Sequence, residues 1–481
     1  MPFHRDLVCI VGPEHVLDAP PPTSPCNTDA SRRPGLRGRA DAVVLPGSAE
    51  EVAAVVRWCY AHDVPIVARG GGTGLTGGAV PMEGGVVLSL ERLRAVRELE
   101  PALWRMHPEA GVSTHHVQRL ARENGLMFAP DPGASEQSQI GGNVATNAGG
   151  PHALKYGVTG AWVTGLEAVL APGELVRIGG WARKDVAGYD LKSLLVGSEG
   201  TLGVITSVRL RLLPAPEAAI ALVVFLGTHA DGCQAMLDIL AAGIQPSALE
   251  FLDGATLGIV AGGYREVVPK DAAFALLVEV DGTRTEAEAQ RRTLLELLSA
   301  RAIAIHEPSD TSALWRWRDG FNPATTAVRG AKVSEDVAFP VERLAEGLER
   351  FAEIAARHGL RSYAWGHGGE GNVHATVLVD PDRPSELDAA RAIGEELFAL
   401  VISLGGSIAA EHGIGWSKRG RLGSQWDARA VQLHEQIKRA FDPKGLFNPG
   451  KKLAVLPDGD GRRISASSVA RVPSTPRFLR P

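Results

Sequence analysis

Apolar positions recur along this chain with two different periods, and the places where the period changes or disappears divide it into parts. Residues 17–39, rich in Pro, Ser and Arg, show no period, and ordered structure is expected to begin near residue 38. Residues 42–45 then read as a strand stopped by Pro46. Ser48 with Glu51 forms a capping box that opens a helix to about Ala61, and 65–68 form a short buried strand, together a βαβ unit. Alternation with period two marks strands at 86–90, 163–170 and 203–213, the last with Val204, Thr206, Val208, Leu210 and Leu212 on one face. After Pro214-Ala-Pro216 the rhythm becomes strand 220–226, helix 229–242, strands 247–252 and 274–280, helix 284–300 and strand 302–305. This repeat predicts an antiparallel sheet covered by helices. Leu344, Leu348, Phe351 and Ala355 stripe one side of a helix over 341–358 and read as core packing; further helices are expected near 385–404 and 427–440. The tail after Pro457 is polar, aperiodic and expected to be disordered.

The pattern predicts an α+β protein with two domains, 38–216 and 217–420, an N-terminal extension at 1–37, a C-terminal helical segment at 421–456 and a tail at 457–481. With 481 residues, 44% of them hydrophobic, the chain can bury more than one core. A net charge of -5 without any Lys/Arg block argues against a nucleic-acid partner. The absence of a long apolar run, and a start at 1–20 unlike a secretory leader, predict a cytoplasmic protein with no transmembrane segment. Cys9, Cys26, Cys59 and Cys233 lack CxxC spacing and are expected to be free thiols.

The chemistry begins at Arg69-Gly-Gly-Gly-Thr-Gly-Leu-Thr-Gly-Gly78. Gly72, Gly74 and Gly77 match the GxGxxG spacing, but Pro81 and Glu83-Gly-Gly85 follow where a dinucleotide fold needs a helix. Successive glycine amides can still converge on a phosphate as a nest. Two more segments of small residues follow, Pro132–Ser135 with Ile140–Gly150 and Lys155–Gly157, then Gly188–Lys192 with Gly197–Gly203. Three such segments exceed what turns require. Separately, Gly366-His-Gly-Gly-Glu-Gly-Asn-Val-His374 places two imidazoles across a glycine-rich bend, and Glu411-His412-Gly413 adds a carboxylate and a third imidazole. Two imidazoles and a carboxylate with an open position suit zinc or another divalent ion, although no spacing rule joins the two segments.

RGGGTGLTGG, IGGNVATNAGG and AGYDLKSLLVGSEGTLGVIT resemble the FAD-binding domain of the vanillyl-alcohol oxidase and p-cresol methylhydroxylase superfamily, in its branch of glycolate oxidase, D-lactate and D-2-hydroxyglutarate dehydrogenases. The resemblance covers about residues 40–455. It implies a p-cresol-methylhydroxylase-type FAD domain, a ferredoxin-like antiparallel cap domain for substrate, and C-terminal helices that return to the FAD domain. Gly70, Gly71, Gly72, Thr73, Gly74 and Gly77 would contact the pyrophosphate, with Arg69, Leu75 and Gly78 beside them. Pro132, Gly133, Ser135, Ile140, Gly141, Gly142, Asn143, Thr146, Asn147, Gly149, Tyr156 and Gly157 would flank the flavin, as would Glu199, Gly200, Gly203, Val204 and Ile205. Glu411 and Asn448 would reach it from the C-terminal part. Residues 69–81 hold no histidine for covalent attachment, so FAD is expected to be non-covalent and extractable.

GHGGEGNVH and AAEHGIG resemble the family's metal and base segments, which implies a divalent metal, Zn2+ or Mn2+, on His367, His374 and Glu411, and His412 as the base. Glu370 stands where relatives often carry Asp. Leu314-Trp-Arg-Trp-Arg318 resembles the LWxxR element, which makes Arg318, in preference to Arg316, the anchor of a substrate carboxylate; Lys332 is a candidate second cation in a register unlike that of the D-2-hydroxyglutarate enzymes. The reaction so implied oxidises a D-2-hydroxy acid to the 2-oxo acid, with hydride passing to flavin N5. Electrons would leave to a quinone, a cytochrome, an electron-transfer flavoprotein or an iron-sulfur subunit, and a homodimer is allowed for. The alternatives are a non-catalytic FAD-binding subunit of a glycolate-oxidase-type complex and a nicotinamide-dependent dehydrogenase.

Overall fold

The computed structural model describes residues 2–31, 33 and 35–453, so the tail expected to be disordered lies outside the described residues. A four-stranded sheet runs in the order Val16–Asp18, Ala42–Val44, Val86–Ser89, Ile66–Arg69. The last three strands are parallel, and Val86–Ser89 lies between the two strands of the βαβ unit. Helix Ala49–Ala61 covers them: Ser48 Oγ accepts the Glu51 amide, while Glu51 reaches past the box to the Gly47 amide. A five-stranded antiparallel sheet follows, ordered Val96–Glu100, Arg105–Pro108, Val204–Arg211, Val163–Leu170, Glu174–Gly179. Helix Ala428–Phe441 returns to this domain, packing Ile437 and Phe441 on its core, and Phe447 bridges to Ile66.

The N-terminal extension corrects the expectation that order begins near residue 38. Helix Pro2–Val11 leads to strand Val16–Asp18, which pairs antiparallel with Ala42–Val44. The next stretch crosses both domains. Ala30 N–H donates to the carbonyls of Gly72 and Gly74, Asp29 Oδ2 accepts the Gly77 amide at 2.6 Å, and Arg33 reaches the Ser334 carbonyl and Glu335 at 2.7 and 2.8 Å. Helix Pro2–Val11 packs Leu7 and Val11 into the first domain's core, whereas the stretch around Asp29 and Arg33 rests on single polar bonds, which leave no periodic stripe in the sequence.

The second domain is a seven-stranded, fully antiparallel sheet ordered Ala304–His306, Ala218–Leu226, Phe274–Gly282, Ala248–Asp253, Ser362–His367, Asn372–Val379, Ala331–Ala338. Period-two alternation sorts its side chains. Leu249, Phe251, Leu276, Val278, Ala364, Ala375, Val377 and Val337 point to one face, and the expected stripe of Leu344, Leu348, Phe351 and Ala355 joins them in one core. The same alternation sends Glu250, Glu279, His367, His374, Asp336 and Lys332 to the other face, toward the first domain and helices Thr311–Asp319 and Phe321–Arg329.

Candidate active site

The bend between Ser362–His367 and Asn372–Val379 turns through Gly368–Glu370 and Gly371, whose φ is 68° and whose added Cβ would lie 1.9 Å from the Phe339 carbonyl oxygen; only glycine fits. Glu370 is exposed in this turn. The two imidazoles end 5.6 Å apart at 84°. Asp336, directly across from His374 on the neighbouring strand, brings in the distant segment. Its Oδ2 accepts the backbone N–H groups of Ala410, Glu411 and His412, each at 2.9 Å, and its Oδ1 accepts Asn372 Nδ2 at 2.7 Å. As a result Glu411 Oε1 lies 3.3 Å from His367 Nε2 and 3.6 Å from both His374 Nε2 and His412 Nε2. His412 stacks on His374 at 5.2 Å and 7°.

Electrostatics give the groups of this cluster different protonation states. Burial opposes ionisation of Glu411, but His367 and the other two imidazoles hold its carboxyl at about 2. Burial, then the neighbouring His412, pulls His374 down to about 3, so its ring is neutral. His367 is driven well above its ordinary value: burial opposes this, and Glu250 and Glu411 prevail. Asp336 sits well below the carboxylate range; burial again opposes, and His412 and Lys418 outweigh it. His374 Nδ1 is buried without a hydrogen-bond partner, 3.8 Å from Asp336 Oδ1. Convergent nitrogens, an ionised carboxylate and an orphaned ring nitrogen fit a divalent ion. The tightest geometric set, with ligand atoms within 4.8 Å of one another, is Asp336, His374, Glu411 and His412. The Asp336 oxygens are engaged by four donors, and His367 Nε2 lies outside that set, 3.3 Å from Glu411 Oε1.

Arg318 is 11% exposed and Arg316 is 67% exposed, paired loosely with Asp310. Arg318 Nε donates to Glu250 Oε2 at 2.7 Å, while Nη2 crowds the same oxygen at 2.5 Å at an angle that makes no hydrogen bond. Lys332 bonds Asn322 Oδ1 and lies 4.8 Å from the Trp365 ring, which neighbours His374 at 6.0 Å. Burial lowers its pKa to about 8.

No helix follows the first glycine loop, as the sequence required. The three segments meet: Gly70 faces Gly142, Gly149 presses on Glu411, and the Glu199 carboxylate accepts the Ile414 and Gly415 amides just beyond His412. Thr76 ties the first loop to the same place through the His412 carbonyl. Their polar side chains largely bind one another. Arg69 donates to Thr28, Asn143 to Thr114, Thr146 to Gly142, Tyr156 to Asp281, and Asn448 to Gly78 and Glu199; Asn147 accepts from Gly160. Ile140, Val204 and Ile205 are core residues. What remains open is backbone. A Cβ on Gly74, Gly78, Gly133 or Gly142 would meet no protein atom within 4 Å, and among the described residues no amide from Gly70 to Thr76 finds a protein acceptor, whereas that of Gly77 is taken by Asp29. A glycine-lined cleft with free amides fits a pyrophosphate and its flavin.

Four residues escaped sequence reasoning: Glu250, Asp336 as an anchor, and the interdomain pair His152 and Glu279. The available signal was a charge inside an apolar strand, as in Ala248–Asp253. His152 bridges Asp131 at 2.6 Å and Glu279 at 3.0 Å, and Tyr156 and Lys155 both bind Asp281.

A glycine cleft backed by an antiparallel cap that carries imidazoles and a buried arginine defines a two-domain flavin-dependent oxidoreductase. Residues 40–179 match the family described as "FAD binding domain", and 215–452 match "FAD linked oxidases, C-terminal domain". Glycolate oxidase subunit GlcD of Bacillus subtilis is 35% identical over 94% of this chain and 96% of the relative. D-lactate dehydrogenase of Archaeoglobus fulgidus is 36% identical over 86% and 91%. Mitochondrial D-2-hydroxyglutarate dehydrogenase of Rattus norvegicus is 33% identical over 92% and 83%. In structure the chain resembles p-cresol methylhydroxylase, with a TM-score of 0.78, 18% identity and coverage of 93% and 95%, and 4-ethylphenol oxidase from Gulosibacter chungangensis, with 0.77, 20%, 93% and 96%. The chain belongs to the FAD-linked oxidase family, in the branch that holds these three relatives. Among the described residues no helix is long and apolar enough to cross a membrane.

Proposed function

We propose that the protein is a dehydrogenase that oxidises a D-2-hydroxy acid to the 2-oxo acid, using non-covalent FAD and a divalent ion held by His367, His374 and Glu411. The observation that carries this reading is the convergence of three imidazole Nε2 atoms on Glu411 Oε1, beside buried Arg318 and against Gly149 of the flavin cleft. When bound, FAD supplies a two-electron acceptor and the metal, Zn2+ or Mn2+, supplies Lewis acidity at the substrate oxygens.

The remaining work falls to the chain. Arg318, held in place by its ion pair with Glu250, binds the substrate carboxylate. His412 Nε2 takes the hydroxyl proton, and its stacking on His374 fixes the orientation of its ring. Lys332, with a neutral amide and an aromatic face as partners, is a second cation for an acidic side chain of the substrate. The names of the relatives keep glycolate, D-lactate and D-2-hydroxyglutarate all in view, and the word "subunit" in one of them supports reoxidation by a partner protein. A quinone, a cytochrome or an electron-transfer flavoprotein satisfies the same chemistry.

The test is anaerobic: purified protein is mixed with D- and L-2-hydroxy acids and bleaching of the flavin band is followed. Bleaching by D-acids alone, lost in His412→Asn with FAD still bound, is the expected result. A His412→Asn protein that reduces at the wild-type rate removes the assigned base, and a flavin that no 2-hydroxy acid bleaches removes the substrate class.

A further inference from the structure

We infer that Glu250 is a positioning residue that ties the occupancy of the metal ligand His367 to that of the substrate anchor Arg318. The inference rests on the roles just proposed for those two residues. Glu250 lies in the middle of strand Ala248–Asp253, between Leu249 and Phe251, directly across from His367, with its side chain 2% exposed. Each of its oxygens has a different task. Oε1 lies 2.5 Å from His367 Nδ1, and Oε2 receives Arg318 Nε at 2.7 Å. A buried carboxylate is tolerated only while such partners neutralise it.

The bond to Nδ1 keeps a proton there and leaves Nε2, which faces Glu411, as the nitrogen that serves a cation once the cation displaces its proton. A cation on Nε2 makes Nδ1–H a stronger donor and draws the Glu250 charge toward the histidine. Arg318 is then less neutralised and holds a substrate carboxylate more tightly. By reciprocity, whatever engages Arg318 strengthens the hold on the metal.

The experiment uses the full-length flavoprotein as wild type, Glu250→Gln and Arg318→Lys, each loaded with Mn2+ or stripped by chelator. Oxalate affinity is read from the flavin absorbance change, metal retention from chelator competition, and KM and kcat are measured separately. In the wild type, oxalate binds more tightly to the metal-loaded form. Glu250→Gln should weaken metal retention by about tenfold, the scale of a lost supporting carboxylate, and raise KM more than it lowers kcat. Arg318→Lys, which touches no metal ligand and keeps Glu250 paired, should shift metal retention by at least about threefold, a coupling at the low end of the usual range. Metal retention unchanged in both variants overturns the inference. If Glu250→Gln does not fold with FAD, Arg318→Lys decides alone. If the wild type neither retains metal nor is bleached by any 2-hydroxy acid, the functional reading fails instead.

Discussion

Replacing Asp336 tests how the two halves of the candidate active site are joined. Its carboxylate accepts three consecutive backbone amides, those of residues 410–412, and Asn372, all while 1% exposed. Charge-assisted bonds contribute about 1.5–3 kcal/mol each, but four donors on one carboxylate do not add; removing the partner of a buried charge network costs about 3–5 kcal/mol. Against a total stability of roughly 5–15 kcal/mol, Asp336→Ala should lower Tm by about 10 °C or more. Asp336→Asn is gentler. Its oxygen can still serve the three amides, and its NH2 can face Asn372 Oδ1, which is buried without a partner and becomes an acceptor once that amide flips. This variant should fold and keep FAD, yet a shift of about 1 Å in Glu411 and His412 should slow flavin reduction by about 100-fold. Differential scanning with flavin fluorescence and anaerobic stopped-flow reduction measure the two effects. Wild-type reduction in Asp336→Asn together with an unchanged Tm in Asp336→Ala would refute the claim that this carboxylate organises the loop.

Gly72 has a φ of 70°, and an added Cβ would lie 2.0 Å from the Arg69 guanidinium, so Gly72→Ala should lose FAD on gel filtration while Gly74→Ala, which faces open space, should fold and lose affinity only. His152 is raised well above its ordinary value, because Asp131 and Glu279 outweigh the opposing burial. The stability it adds is complete below its unfolded pKa of about 6.5 and is lost as pH rises through the raised folded value; His152→Gln should therefore flatten the alkaline fall of Tm, and an unchanged slope speaks against the bridge. Prolonged chelation should abolish flavin reduction by substrate, and Zn2+ or Mn2+ should restore it; activity that survives in metal-free protein, checked by elemental analysis, excludes the metal role.

Strands Ala218–Leu226, Ala248–Asp253 and Phe274–Gly282 of the cap sheet were legible as apolar runs because both of their faces are buried, whereas Ala331–Ala338 and Ser362–His367, which carry polar residues toward the site, were not read as strands. The glycine segments were legible because their composition has no other use. Helix Ile140–Thr146 was not, since Gly141 and Gly142 argue against a helix. Gly141 is needed there because a Cβ would lie 2.5 Å from that of Ala110. Helix Thr114–Glu123 buries only Thr114, Val117 and Ala121, too narrow a stripe to stand out. For the site, the sequence supplied His367, His374, Glu411 and Arg318 as types, but their meeting depends on Asp336 and Glu250. Both look like ordinary strand acids until the sheet register sets them across from His374 and His367.

The stretch through Asn27, Asp29 and Arg33 lies ahead of residue 40, where the family match begins, yet it fastens the flavin loop on one side and the strand bearing Asp336 on the other. A chain shortened to the matched region would keep the glycine loop and the histidine cluster and lose the clasp that bonds that loop and the strand bearing Asp336 to the same short segment. For anyone trimming or fusing this enzyme, the usable boundary therefore lies before its first helix, Pro2–Val11, well outside the region that family resemblance marks.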